Sequence, residues 1–146
     1  MRDEFENKLP DLKARMAKLG FPDFEFVANP NLVFVYAEPD SYGHHSLGRC
    51  IHEYFDSFIS RLSDYVKQGK DTESVEALKK VANKNVVNLV PDDEDKYSYC
   101  GIQIHDGQIW LYFNQAKLAY NIYDAAEKIG PAIDAGKNHY CSFFFV

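Results

Sequence analysis

Cysteine is scarce and badly placed for cross-linking. Cys50, Cys100 and Cys141 are odd in number, far apart and include no CxxC pair, a pattern that offers neither a disulfide framework nor a zinc knuckle. They read as small buried hydrophobes with free thiols. Long apolar runs are missing too. No segment approaches the length of a membrane span, and the opening MRDEFENKL is charged at once, with no apolar signal core, so a cytoplasmic protein without a membrane partner is expected. Basic residues are outnumbered, 16 Lys and Arg against 22 Asp and Glu for a net charge of −6. No basic stripe is available to release counterions from a phosphate backbone, so nucleic acid is not an expected partner.

Several enzyme signatures are absent as well. The chain has no G-x-S-x-G elbow, no Walker loop, no G-x-G-x-x-G and no HExxH, which removes the classes those motifs serve. A thiol nucleophile built from Cys100 or Cys141 beside His105 or His139 would sit in or next to strands, with no oxyanion loop in view. Repeats and low-complexity segments are also missing. At 146 residues with 46% hydrophobic and 15% aromatic content, the chain is long enough to bury a core without staples, and one domain over residues 1–146 is expected.

What is present begins with a hairpin. In Tyr97–Asn114, YSYCGIQIHDGQIWLYFN, the pair Asp106-Gly107 signals a type I′ turn that sets His105 opposite Gln108. The register follows by counting. Ile104, Ile102 and Cys100 face Ile109, Leu111 and Phe113 on a core side. Gln103 and Gly101 face Trp110 and Tyr112 on the other, with Tyr99 alongside. That second side is aromatic yet amphipathic, and it follows the run Asp92-Asp93-Glu94-Asp95.

Around the hairpin, helical spacing of Phe5, Leu9, Leu12, Met16 and Leu19 predicts a helix over Asp3–Leu19, closed by Gly20 and Pro22, with Pro10 either kinking it or marking its first turn. DFEFVA and LVFVYA around Asn29-Pro30-Asn31 predict a second hairpin. A stripe from Ile51 through Tyr54, Phe55, Phe58 and Leu62 to Val66 predicts a long helix over Leu47–Gln68, and Asp71 or Thr72 caps a shorter one carrying Val75, Leu78 and Ala82. Val86–Val90 reads as a strand closed by Pro91. A fourth helix is expected over Gln115–Ile129, stopped by Gly130-Pro131, and a last strand over His139–Val146, its FFFV apolar on both faces and so inside the sheet. The order α-β-β-α-α-β-β-β-α-β does not alternate strand and helix, which predicts an α+β domain with a mainly antiparallel sheet and about four helices.

Between Val86 and Gln115 five acids, Asp92, Asp93, Glu94, Asp95 and Asp106, stand against Lys96 alone. A run of adjacent acids lacks the spaced ligands of an EF-hand loop, and it suits a basic protein partner. On the wheel of the fourth helix, Leu118, Ile122, Ala125 and Ile129 form the core stripe and leave Tyr120 and Tyr123 spare. The expected contact surface is therefore Asp92, Asp93, Glu94, Asp95, Tyr97, Tyr99, Trp110, Tyr112, Tyr120 and Tyr123. By size and charge the chain resembles the small acidic proteins that bind and neutralise a basic partner, and a non-enzymatic immunity or inhibitor protein facing a bacterial toxin or defence effector is the leading expectation, with no cofactor. Two alternatives are a small metal-binding or hydrolytic enzyme using His44, His45, His52 and Asp56, and a homodimeric structural module.

Overall fold

Apolar spacing builds the first half of the fold directly. The computed structural model describes residues 2–29, 47–68 and 71–144. Helix α1, Arg2–Lys18, buries Phe5, Leu12 and Met16 from its stripe and carries Pro10 inside it. Its last carbonyls are taken up as Gly20 N–H donates to Ala17 O at 3.0 Å and Phe21 N–H to Met16 O at 3.0 Å. The long helix α2, Leu47–Gln68, is the centre of the core: Cys50, Ile51, Tyr54, Phe55, Phe58 and Leu62 are fully buried along it. Helix α3 spans Asp71–Val81. Strand β1, Glu25–Ala28, is the first arm of the expected second hairpin; the other arm, like His44 and His45, lies outside the described residues.

Strands β2, Val86–Asp92, β3, Cys100–His105, and β4, Gln108–Asn114, complete a four-stranded sheet in the order β1-β2-β4-β3. The class is α+β and the sheet is mixed. Antiparallel pairing is carried by the β3–β4 hairpin, while β1 with β2 and β2 with β4 run parallel; helices lie between β1 and β2 in the chain, and between β2 and β4 the chain runs back as the antiparallel strand β3. The hairpin register is the one its turn dictates, from His105 opposite Gln108 to Cys100 opposite Phe113. Asp106 and Gly107 both have positive φ, 56° and 75°, as a type I′ turn requires. A Cβ at Gly107 would also fall 2.3 Å from Asn83 Oδ1, and Lys84 N–H donates to Gly107 O at 2.9 Å. The turn is thereby locked onto the end of α3.

Two expected elements take other forms. The helix over Gln115–Ile129 is not made: Ala119 and Asn121 have φ of 74° and 52°, and the segment closes on itself by successive three-residue turns around a short 3₁₀ helix, Ile122–Asp124. Leu118, Ile122, Ala125 and Ile129 are nonetheless all buried. Three- and four-residue turns bury the same spacing that a helix would, so the stripe is right and the element differs. Tyr54, buried in α2, fixes the break by accepting the Ala119 N–H at 2.9 Å.

Residues 139–144 of the expected terminal strand instead belong to helix α4, Ile129–Phe144, and the last two lie outside the described residues. Gly130-Pro131 opens this helix rather than closing the previous one, since proline in a first turn gives up an N–H that has no helical partner anyway. Ile129, Ile133 and Gly136 then recur at helical spacing and are buried. A Cβ at Gly136 would lie 3.2 Å from Val81 Cβ and 3.6 Å from Ile104 O, so the missing side chain lets α4 press against α3 and β3.

Val87, Leu89, Ile102, Ile104, Ile109, Leu111 and Phe113 on one face of the sheet join the helices in a single hydrophobic cluster. The other face is different. Val27 on β1 is 49% exposed, and Gln103, His105, Trp110 and Tyr112 are half-buried. Among the described residues no helix is long and apolar enough to cross a membrane.

Candidate functional site

The outer sheet face hollows into a groove of about 510 Å³ bounded by β2, β3, β4 and the β2–β3 loop, with Tyr97, Trp110, Tyr112 and His105 among its lining and Asp92, Asp93 and Glu94 at the loop. Register explains its floor. Asn88 pairs with Trp110 and Val90 with Tyr112 across the parallel β2–β4 ladder, while Gln103 and Gly101 face the same two aromatics from β3. Alternation does the rest, sending every second side chain of three strands to one surface.

The rings are ordered by one another. His105 lies parallel to Trp110, centroids 5.1 Å apart and planes 6° from coplanar orientation, and Trp110 Nε1–H donates to His105 O at 3.3 Å. His105 is held at both ring nitrogens, Nδ1 at 3.0 Å from Asp106 Oδ2 and Nε2 at 3.2 Å from Tyr112 Oη. Tyr97 stacks on Tyr112 at 5.7 Å and 27°, and its hydroxyl accepts from Gln103 Nε2 at 3.0 Å. Only glycine at 101 allows this: a Cβ there would fall 2.1 Å from Tyr97 Cε1. Burial, and secondarily the neighbouring Tyr97, Glu94 and Asp92, pushes the Tyr112 phenol up from its ordinary range, so it stays a neutral hydrogen-bonding group.

The acidic run does not act as one charge. Asp92 is buried, and its carboxylate accepts the Tyr97 N–H at 2.8 Å and the Glu94 N–H at 3.3 Å, which makes it the pin that folds the loop. Asp95, at φ 52°, accepts from Asn114 Nδ2 at 3.1 Å, and the same amide group donates to Tyr97 O at 2.8 Å. Asp93 accepts from Gln115 Nε2 at 2.9 Å, and Glu94 pairs with Lys96 at 2.9 Å; both acids are exposed. Asp95 is exposed as well but does not line the groove, so the exposed carboxylates at the groove itself are those of Asp93 and Glu94.

The expected contact surface divides accordingly. Asp92, Asp93, Glu94, Tyr97, Trp110 and Tyr112 line the groove. Tyr99 and Tyr120 instead stack on each other at 6.4 Å, with Lys117 Nζ 4.8 Å over the Tyr99 ring. Tyr123, 75% exposed, stands beside Arg61, whose Nε donates to Tyr123 O at 3.1 Å. None of these three tyrosines lines the groove. His105 and Gln103 do, and sequence reasoning omitted them from the site although the hairpin register had already put Gln103 opposite Trp110. Comparison with family models, curated proteins and solved structures finds no match. The groove's own chemistry must carry the functional reading.

The alternative histidine centre is only partly described. Asp56 is engaged by Arg15 in a pair that clips α2 to α1, and His52 lies nearby on α2. Burial, with Lys8 next in size and Arg15 adding to it, holds the His52 imidazole below its ordinary range against the pull of Asp56 and Asp11. The folded state then takes up the proton less readily than the unfolded chain, so this contribution to stability is whole above the ordinary histidine value and is lost as pH falls through the folded one. His52→Gln should flatten the melting temperature between about pH 7 and pH 5, the range in which histidine titrates, and parallel melting curves across that range check it. Among the described residues no group of three or more His, Cys, Asp or Glu could hold a metal ion. Cys50 and Cys100 are free thiols, each pushed up to about 12 mainly by burial, and Cys100 Sγ is spent on Asn121 O at 3.2 Å. His139 and Cys141 fall on α4 rather than on a strand.

Proposed function

We propose that this chain is a non-enzymatic binding module of the cytoplasm, of the immunity or inhibitor kind, that neutralises a basic partner such as a toxin or defence effector by seating a basic segment in the groove of the open sheet face. The observation that supports it is the composition of one cavity: Tyr97, Trp110 and Tyr112 lie together with the exposed carboxylates of Asp93 and Glu94 at the loop beside them. Flat aromatic surface supplies burial with little side-chain entropy to lose, and carboxylates at a rim steer a cationic approach. The groove's neutral phenol, fully partnered imidazole and mixed-charge rim suit recognition better than proton transfer.

Rim charge and buried anchor should separate kinetically. Changing Asp93→Asn with Glu94→Gln should lower the association rate several-fold at low salt and flatten its dependence on ionic strength, leaving dissociation nearly unchanged. Asp92 is kept, because its loss would unpin the loop. Surface plasmon resonance against the basic protein that the immobilised chain captures makes the measurement. An unaltered salt dependence would place the contact elsewhere.

A further inference from the structure

Resting on that reading, we infer that the cation the groove selects is an arginine guanidinium and not a lysine ammonium. Near-parallel stacking is already the rule in the groove, at 6° for His105 on Trp110 and 27° for Tyr97 on Tyr112. A planar, weakly hydrated group extends such an array as one further layer, whereas a tetrahedral, strongly hydrated ammonium does not. The acceptors match as well. Gln103 spends its Nε2 on Tyr97 Oη and so keeps its amide oxygen as an acceptor, while Asp93 and Glu94 supply carboxylates. A guanidinium has five N–H donors in a fixed fork to share among an amide oxygen and two carboxylates; an ammonium has three on a flexible stem.

The groove also contains its own lysine. Lys96 lies 2.9 Å from Glu94 and is half exposed; among the described residues the cation that sits over an aromatic ring is Lys117, on Tyr99 outside the groove. Lys96 acts as a tethered competitor at the carboxylate rim, which an arriving arginine displaces from Glu94 while also gaining the rings.

The chain has a single tryptophan, and it lines the groove, so its fluorescence reports occupancy without a label. Two blocked peptides of equal charge, acetyl-Gly-Arg-Arg-Gly-amide and acetyl-Gly-Lys-Lys-Gly-amide, are titrated into the wild-type chain, with amide shift mapping by NMR to locate the site. The arginine peptide should bind about fivefold more tightly than the lysine peptide. Lys96→Gln should tighten the arginine peptide about threefold by removing a cation and its competition, and Tyr112→Leu, checked for a native melting curve, should erase the preference. Equal binding of the two peptides in the groove overturns the arginine assignment and leaves the basic-partner reading intact. Absence of binding by either peptide, or shifts confined to the helical face, also overturns it. The basic-partner reading fails separately, through an unchanged association rate in the Asp93 and Glu94 variant.

Discussion

Gly101→Ala should weaken partner binding at least about tenfold while the protein still folds. A methyl group at this position would lie 2.1 Å from Cε1 and 2.3 Å from Cδ1 of Tyr97, well inside any tolerable contact. The strand is held in place, because Gly101 pairs with Tyr112 within the β3–β4 ladder and is itself buried. The ring must therefore leave. With it go the stack on Tyr112 and the hydrogen bond from Gln103. Overpacking of this sort costs about 1–3 kcal/mol of stability, a loss that a domain of ordinary stability survives. Partner affinity should fall at least about tenfold, or about 1.4 kcal/mol. Tyr97→Ala gives the control: if Tyr97 is the reason for the effect, the double variant should bind no worse than Tyr97→Ala alone, a non-additive cycle. Native affinity in Gly101→Ala would remove Tyr97 from the interface.

Trp110→Ala should act on dissociation. A tryptophan that anchors an interface contributes about 2 kcal/mol or more, which is roughly a thirtyfold faster off-rate with little change in association. The rival reading of this residue is a core tryptophan, whose removal would cost about 3–5 kcal/mol of folding free energy. Its placement decides for the surface. Trp110 is half-buried on the outer face, stacked on His105 and bonded to His105 O, whereas its strand neighbours Ile109 and Leu111 are completely buried in the cluster beneath. A melting midpoint close to native together with fast dissociation is the expected pair of results. A collapsed midpoint would make the loss of binding a folding defect.

How far the sequence reached follows from which interactions are local. The hairpin was legible to the residue because turn chemistry fixes register and a two-residue period fixes faces. Helix α2 was legible to its ends from the Ile51-to-Val66 stripe. The segment after β4 was not, since Leu118, Ile122, Ala125 and Ile129 satisfy helical spacing while a tertiary hydrogen bond from Ala119 to Tyr54 and two left-handed residues break the helix. Phe143 and Phe144 resemble strand residues, yet the chain carries them on α4, whose start at Gly130-Pro131 reads equally well as an end. The groove itself depends on β2 lying parallel beside β4, a pairing between distant segments that no local pattern announces. Asp92 and Asp93 are adjacent identical residues, and only the fold separates the buried pin from the exposed charge. Tyr120 and Tyr123 looked spare, and they are exposed, but on a segment that carries them to other neighbours.

Oxidative footprinting of the aromatic side chains, with and without the captured basic partner bound, tests the central claim most directly. The open sheet face predicts that Tyr97, Trp110 and Tyr112 lose reactivity in the complex while Tyr123, 75% exposed and outside the groove, keeps it. Protection of Tyr123 with Trp110 as reactive as in the free protein would contradict it.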